Sequence, residues 1–265
     1  MRPDKIILKS QSDLEQMREA GRLVAQALAL AGKLIAPGVT TGEINAAILD
    51  LIRQAGATAT FVGYPSGRRG VPAFPAAVCA SVNEQVVHGI PGPRVLLEGD
   101  ILSLDIGVHL NGWCGDAART FPVGKVGRKA KRLLEVTETS LTNAIANCRP
   151  GRFLDDISQA VESCALENGL SVVKQFVGHG IGRDMHEPPQ VPNFIASGNE
   201  IPEPPLELRA GMVLAIEPML NLGGSPVLVD PRDGWTVFTK DRSLSAHFEH
   251  SVAITNEGPW ILTEL

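Results

Sequence analysis

The chain has 265 residues, of which 44% are hydrophobic and 20% are charged, and its formal net charge is −5. This composition is ordinary for a folded domain and excludes a chain that is mainly disordered. The lack of a basic excess argues against nucleic acid or an anionic lipid surface as the main partner.

Two amphipathic helices are predicted in the first part of the chain. Apolar residues recur at helical spacing as far as Ile35, after a capping box at Ser12–Glu15. A second capping box at Thr40–Glu43 opens a helix that ends near Ala55.

The middle of the chain predicts a strand and then a β-hairpin. A loop rich in Pro, Gly and Arg runs from Tyr64 to Pro75, and alternating Ala and Val predict a strand over 77–82. Two apolar runs, 101–109 and 113–121, flank Asn111-Gly112, a strong signal for a two-residue hairpin loop.

The second half of the chain predicts further helices and strands without a linker between them. Helices are expected at about 129–147 and 154–168, and strands at 171–177, 212–219, 235–239 and 246–254. We therefore expect one α+β domain. No stretch reaches the ~18 apolar residues of a membrane span, and the first residues are too polar for a signal peptide. With four scattered cysteines, these features favour a cytoplasmic protein with reduced thiols.

One short pattern occurs twice. Gly99 and Gly211 are each followed by one residue, an apolar run and then a carboxylate, which is Asp105 in the first copy and Glu217 in the second. The repetition indicates two related α+β halves that face each other.

Four acidic residues lie in runs that are otherwise nearly apolar. They are Asp105, Asp116, Glu217 and Glu249. Burying an unpaired ion costs several kcal/mol, so these carboxylates require positive charge, which their immediate surroundings do not supply.

The hairpin register places two of these acids on one face of the sheet. With a two-residue loop, Asp105 faces Ala118 and Asp116 faces Gly107, so the two acids are diagonal neighbours. Side chains at that spacing can share a pair of cations.

Histidine completes a set of metal ligands. His88, His179 and His186 lie in segments punctuated by Gly and Pro, whereas His109, His247 and His250 are interpreted as structural. One imidazole with four carboxylates suits Mn, Fe(II), Co or Zn in a two-metal site better than a structural zinc. Motifs of serine hydrolases, zincins, and mononucleotide or dinucleotide binding are missing from the sequence.

Six motifs follow in order from about Ser10 to Leu262. They are Asn83-Glu-x-x-x-His88-Gly-Ile-Pro91, Asp105, Gly115-Asp116, Gly178-His-Gly-Ile-Gly-Arg-x-x-His-Glu187, Ile216-Glu-Pro-Met219, and Asp233-Gly-Trp-Thr236 with Ser245-Ala-x-x-Glu-His250. Together they closely resemble type I methionine aminopeptidases. The resemblance implies the α+β pita-bread fold of the creatinase/aminopeptidase class. That fold has two pseudo-symmetric halves, with antiparallel sheets flanked by helices and a dinuclear metal site between them.

The resemblance also implies the reaction and its residues. The implied ligands of two divalent ions are Asp105, Asp116, His179, Glu217 and Glu249, with Asp116 and Glu249 bridging. The family removes N-terminal methionine from nascent proteins and peptides when the second residue is small, by attack of a metal-bridging water or hydroxide. Glu217 would take the proton of the water, His186 would stabilise the oxyanion, and His88 would contact the scissile amide.

The methionine pocket follows the family pattern less closely. The implied pocket positions are Phe61, Tyr64, Phe74, Cys79, Met185 and Trp235. Phe74 stands where tyrosine is common and Met185 where an aromatic residue is common. The loop 65–73 resembles an insertion relative to shorter bacterial members, so the width of the pocket is left open. Asn83 and Ser245 match a monovalent-cation site of the family.

We expect a single catalytic domain over 1–265, with a helical lead-in over about 1–57 and a metal-binding core over about 58–265. The resemblance implies a monomer that acts on N-terminal Met peptides and nascent chains. It also implies transient ribosome contact, without nucleic-acid specificity or membrane attachment.

Several relatives on the same fold are alternatives. Prolidases and aminopeptidases P carry a large additional N-terminal domain, which we expect to be missing because few residues precede the strand at Ala77. Type II methionine aminopeptidases carry a helical insertion for which the gap between His179 and Glu217 is too short. Some type I members carry an N-terminal zinc finger, whereas no cysteine precedes Cys79. Binding modules and creatinase-type amidinohydrolases lack metal ligands, whereas all five positions are filled here.

Overall fold

The computed structural model describes residues 6–195 and 205–265. Its helices are α1 (Gln11–Leu34), α2 (Thr41–Gln54), α3 (Arg128–Ala146) and α4 (Leu154–Glu167). Its strands are β1 (Thr58–Ala59), β2 (Val78–Val82), β3 (Gln85–Val87), β4 (Ile101–Leu110), β5 (Trp113–Pro122), β6 (Ser171–Val172), β7 (Gly178–Gly180), β8 (Glu187–Val191), β9 (Val213–Ile216), β10 (Met219–Asn221), β11 (Val227–Val229), β12 (Val237–Thr239), β13 (Ser245–His247), β14 (His250–Thr255) and β15 (Gly258–Ile261). None of the helices in these ranges is both long and apolar enough to cross a membrane.

The first half of the fold is a four-stranded antiparallel sheet covered by two helices. Strands β1, β4 and β2 are neighbours in that order, and β5 pairs with the long strand β4. Apolar residues of α1 and α2 form one buried cluster with β2 and β4. The predicted hairpin register is confirmed, since Asp105 pairs with Ala118 and Gly107 pairs with Asp116. Asn111 and Gly112 of the loop both have positive φ, as a tight hairpin turn of this kind requires.

The second half repeats this arrangement with a five-stranded antiparallel sheet in the order β15-β14-β9-β7-β8. Helices α3 and α4 bury their apolar faces in one cluster with this sheet. Gly99 and Gly211, which begin the repeated sequence pattern, have φ values of +93° and +91° before β4 and β9. The two copies of the pattern therefore enter their sheets through the same left-handed backbone conformation.

Two predicted strands are split in the structure. The run 212–219 becomes β9 and β10, and the run 246–254 becomes β13 and β14. β9 and β14 belong to the five-stranded sheet, whereas β10 and β13 belong to a separate three-stranded sheet with β6. Each break falls at an acidic residue, Glu217 or Glu249, where the chain passes from one sheet to the next. Pro218, which has no backbone N–H, reinforces the first break.

Other boundaries also differ from the prediction. The predicted strand 171–177 shortens to β6, and the edge strand β8 with its two prolines was not predicted. The capping box of α1 is formed by Ser10 and Asp13, so the prediction of Ser12–Glu15 is wrong. The backbone N–H of Lys9 donates to Gly211 O at 2.7 Å, which holds the chain extended just before Ser10. The capping box at Thr40–Glu43 is confirmed.

Candidate metal centre and active site

The two halves meet where strand β5 contacts strand β14. Ser251 Oγ donates to Asp116 O at 2.7 Å and accepts from Asp116 N at 3.2 Å. The N–H of Glu249 donates to Ala118 O at 2.8 Å. These hydrogen bonds of the Ser251 hydroxyl and of the backbone across the junction therefore place the carboxylates of Asp116 and Glu249 beside each other.

The remaining acids reach the same place from their own strands. Glu217 directly follows β9 and Glu249 directly precedes β14, and the neighbouring residues Ile216 and His250 are paired in the sheet. Asp105 contributes from β4, two residues before Gly107, which pairs with Asp116 in the hairpin. The structure thus brings all four acids together at the junction.

His179 adds a nitrogen ligand to the cluster. Its Nε2 lies 3.7 Å from Asp116 Oδ2 and 3.6 Å from Glu217 Oε1. Ligand atoms of Asp116, His179 and Glu249 all lie within 4.8 Å of one another. Nδ1 of His179 lies 2.9 Å from Gly180 O, so it carries the proton and leaves the Nε2 lone pair free. Burial lowers the pKa of His179 to about 3, which keeps the ring neutral.

The carboxylates are electrostatically incompatible without cations. Burial raises the pKa of Asp105 to about 7. Burial first, and then the charge of neighbouring carboxylates, raises the pKa values of Asp116, Glu217 and Glu249 well above their usual range. Buried oxygens of Asp105, Asp116 and Glu249 have no hydrogen-bond partner in the described part of the chain. Unpaired carboxylate oxygens beside a neutral imidazole fit divalent transition-metal ions.

His247 joins this cluster, although the sequence was interpreted as giving it a structural role. The residue is buried, and its Nε2 lies 3.7 Å from Glu217 Oε2 and 3.9 Å from Glu249 Oε2. The same nitrogen lacks a hydrogen-bond partner within the ranges 6–195 and 205–265. Its position two residues before Glu249 was the signal, because such residues share one face of an extended chain. Of the other two histidines interpreted as structural, His250 lies with Nδ1 2.8 Å from Thr263 Oγ1, and His109 pairs with Thr58 and Cys114 within the first sheet.

His186 and His88 flank the carboxylate cluster. Nδ1 of His186 lies 2.7 Å from Tyr64 Oη, and its ring centroid lies 4.2 Å from that of His179. His88 packs edge-on against Phe176 and Trp235, at centroid distances of 5.4 and 6.3 Å. Burial lowers the pKa of His88 to about 4 and also lowers that of His186, so both rings are neutral near pH 7.

An apolar cluster lies beside the histidines. It contains five of the six predicted pocket residues, Phe61, Tyr64, Phe74, Cys79 and Trp235, and also Ile90, which was not predicted. The sixth, Met185, belongs to the adjacent cluster, against which Phe61 also packs. The ring of Phe74 meets those of Phe61 and Trp235 edge-on, at centroid distances of 6.4 and 5.2 Å.

The loop 65–73 packs against the same wall. Trp235 Nε1 donates to Pro72 O at 2.9 Å, and Val71 covers Gly234 so closely that a Cβ there would lie 2.7 Å from its methyl group. The loop thus supports the indole ring of Trp235.

Asn83 and Ser245, the predicted cation-site residues, are joined through their backbones, with Ser245 N donating to Asn83 O at 2.9 Å. The side-chain amide of Asn83 bonds to Asp100 and to the N–H of Ile101. The monovalent-cation site stays a prediction.

Residues 15–256 match metallopeptidase family M24. The chain belongs to this family. The M24 assignment makes the chain a metal-dependent peptidase and therefore a hydrolase. Methionine aminopeptidase from Clostridium perfringens is 46% identical over 258 residues, which are 97% of this chain and 98% of that protein.

Solved structures of other proteins agree with this fold. The crystal structure of methionine aminopeptidase from Rickettsia prowazekii is 38% identical with a TM-score of 0.91, over 98% of this chain and 100% of that one. A prolidase from Pyrococcus horikoshii has a TM-score of 0.73 at 21% identity, over 97% of this chain and 63% of that one. The prolidase shows only a common fold. The predicted pita-bread α+β fold is confirmed.

Proposed function

We propose that this chain is a methionine aminopeptidase that hydrolyses the first peptide bond of peptides beginning with Met when the second residue is small. The observation that carries the proposal is the cluster of buried carboxylates and His179 at the junction of the two sheets, directly beside an aromatic pocket. The proposal is supported by membership in a metallopeptidase family and by relatives named methionine aminopeptidase.

Two divalent ions are the proposed cofactors. Their ligands would be Asp105, Asp116, His179, Glu217 and Glu249. When bound, such ions supply Lewis acidity toward a water molecule and toward the scissile carbonyl. The oxygen-rich ligand set suits Mn, Fe(II), Co or Zn.

Glu217 and the histidines beside the cluster are proposed to transfer protons and to orient the substrate. Glu217 takes the proton from the attacking water. His186 donates a hydrogen bond to the developing oxyanion, which requires a proton on Nε2. Tyr64 Oη, 2.7 Å from Nδ1, selects this tautomer by donating its own proton. His88 contacts the scissile amide and assists the leaving nitrogen.

The aromatic cluster is the proposed pocket for the methionine side chain. Phe61, Phe74 and Trp235 form its walls and Cys79 and Met185 complete them, while Tyr64 joins the pocket to His186. Aromatic rings give large apolar contact area, and sulfur packs favourably against ring edges.

The cellular setting is also a proposal. We expect residues 1–265 to act as one catalytic domain, with the lead-in over about 1–57 and the metal-binding core over about 58–265. The expected substrates are N-terminal Met peptides and nascent chains. A monomer in the cytoplasm with transient ribosome contact fits this role.

The test is release of free methionine from Met-Ala-Ser by metal-stripped protein that is titrated with Mn, Co, Fe(II) and Zn. We expect release that depends on metal and disappears with N-acetyl-Met-Ala-Ser, which has no free amine. Leu-Ala-Ser is the control for the pocket, and Met-Leu-Ser is the control for the small second residue. Failure with every metal would overturn the proposal, and equal cleavage of Leu-Ala-Ser would overturn the methionine pocket.

A further inference from the structure

A buried ion pair joins the start of the chain to the segment that carries His186. Lys9 Nζ donates to Glu187 Oε2 at 2.6 Å, and the two side chains are only 3% and 6% exposed. Lys9 precedes α1 and lies outside the residues 15–256 matched to the family. Glu187 is the first residue of β8 and directly follows His186.

The second carboxylate oxygen of Glu187 organises the turn before His186. Oε1 accepts from the N–H of Arg183 at 2.9 Å and from the N–H of Asp184 at 3.4 Å. A Cβ on Gly182 would clash with this oxygen and would lie 2.7 Å from Lys9 Cε. The ion pair therefore fills the inside of the turn 182–186.

Lys9 is held in place from the other side. Its N–H donates to Gly211 O at 2.7 Å, and the next residue, Ser10, caps α1. Gly211 begins the segment that enters β9 and ends at Glu217. The ion pair thus connects the turn that carries His186 to the backbone that leads to the carboxylate cluster.

A contribution to the stability of the folded protein does not by itself explain why these two charges are buried as a pair. The desolvation of two buried charges often cancels their attraction, and apolar replacements are often as stable. Geometry gives a more specific reason, because one carboxylate both receives Lys9 and fixes two N–H groups of the turn.

We infer that Lys9 and Glu187 are positioning residues that hold the turn 182–186 so that the ring of His186 faces His179 and the carboxylate cluster. Neither residue touches the substrate, and the part of this inference that concerns catalysis rests on the proposed function. Loss of Lys9 frees the Glu187 carboxylate to rotate, which releases the N–H groups of Arg183 and Asp184.

The test compares Lys9→Met with Lys131→Met, which breaks an exposed ion pair to Glu135 on α3. Amide hydrogen exchange at Arg183 and Asp184 and the NMR signal of the His186 ring are measured in metal-free protein. Michaelis parameters for Met-Ala-Ser are measured with saturating Mn. We expect Lys9→Met to speed exchange at both amides by about tenfold and to lower kcat by about tenfold with little change in KM. Lys131→Met should change none of these.

The double variant Lys9→Met/Glu187→Gln serves if the single variant folds poorly, since it removes both buried charges. We expect it to recover thermal stability while kcat stays low. Recovery of both stability and kcat would show a purely structural pair and overturn the inference. Unchanged exchange and an unchanged His186 signal in Lys9→Met would also overturn it. If wild-type protein releases no methionine, the proposed function fails, whereas the exchange and NMR measurements still decide the role of the pair.

Discussion

Gly107 lies directly opposite Asp116 in the β4–β5 hairpin, and the space beside it is filled by Thr60 Oγ1 and by two of the proposed pocket residues, Met185 and Phe61. A Cβ on Gly107 would lie 2.6 Å from Met185 Cε and 3.2 Å from Phe61 Cε1. Because Asp105 is two residues away on the same strand, pocket and carboxylate cluster share one wall.

Gly107→Ala should therefore weaken substrate binding. Overpacking at such a site costs about 1–3 kcal/mol, so we expect KM for Met-Ala-Ser to rise about tenfold. Metal affinity, measured by calorimetry, should change little. Gly92→Ala is the matched control, because a Cβ there has open space. An unchanged KM in Gly107→Ala would contradict the shared wall.

Asp116→Asn should abolish activity and lower the number of bound metal ions. Mutation of residues that only hydrogen-bond to a metal ligand typically lowers metal affinity or activity by about 10–100-fold. Loss of a ligand proposed to bridge both ions should therefore lower kcat by more than about 100-fold. The stability of the metal-free protein should not fall, because burial and the neighbouring carboxylates raise the pKa of Asp116 and favour its neutral form, which Asn matches in shape and charge. Metal analysis, kinetics and thermal melts test the three statements, with Asp50→Asn on the exposed face of α2 as the control. Full activity in Asp116→Asn would exclude the bridging role.

Tyr64→Phe should distinguish an effect on binding of the methionine side chain from an effect on catalysis. The ring that would line the proposed methionine pocket is kept, whereas the hydroxyl 2.7 Å from His186 Nδ1 is lost. We expect kcat to fall about tenfold and KM to stay within about twofold, as for other groups that orient a functional histidine. A fall in kcat/KM that comes entirely from KM would instead assign Tyr64 to methionine binding alone.

The metal-free protein should lose stability as pH rises from about 6.5 to 8. In this range the carboxyl groups of the unfolded chain are ionised, whereas buried carboxyl groups of the folded protein still bind protons, Asp105 up to about pH 7 and Asp116, Glu217 and Glu249 because their pKa values are raised well above the usual range. Stability therefore falls with rising pH until the pKa of each folded group is passed. The buried histidines have lowered pKa values and destabilise the folded state only below their usual value of about 6.5.

Thermal melts of metal-stripped protein between pH 6.5 and 8 test this prediction. We expect the melting temperature to fall over this range and saturating Mn to remove most of the decrease. A melting temperature that rises with pH in the metal-stripped protein would show that the carboxyl groups are not the dominant titrating groups.

The sequence alone predicted those parts of the site that depend on local geometry. The Asn111-Gly112 loop defines the register of its hairpin, which places Asp105 and Asp116 correctly on one face. The sequence could not reveal that the chain passes from one sheet to another at Glu217 and at Glu249, because this depends on which distant strands pair.

The roles of His247 and Lys9 also depend on contacts between distant parts of the chain, which the sequence does not show. His247 lies in an apolar run, as structural histidines often do, and only the packed fold brings it to Glu217. The partner of Lys9 is 178 residues away, so no local pattern connects it to the turn before His186. The capping box at Ser10 was missed because a backbone contact to Gly211 determines where α1 begins.

The proposed metal ligands are divided between the halves, Asp105 and Asp116 from the first and the others from the second. Bound ions would therefore act as a cross-link whose strength is set by the free metal concentration. Above the dissociation constant, each tenfold increase in free metal adds about 1.4 kcal/mol per bound ion to the stability of the folded protein. The lifetime of the chain under heat or proteolysis would then follow the metal supply of its surroundings, quite apart from catalysis.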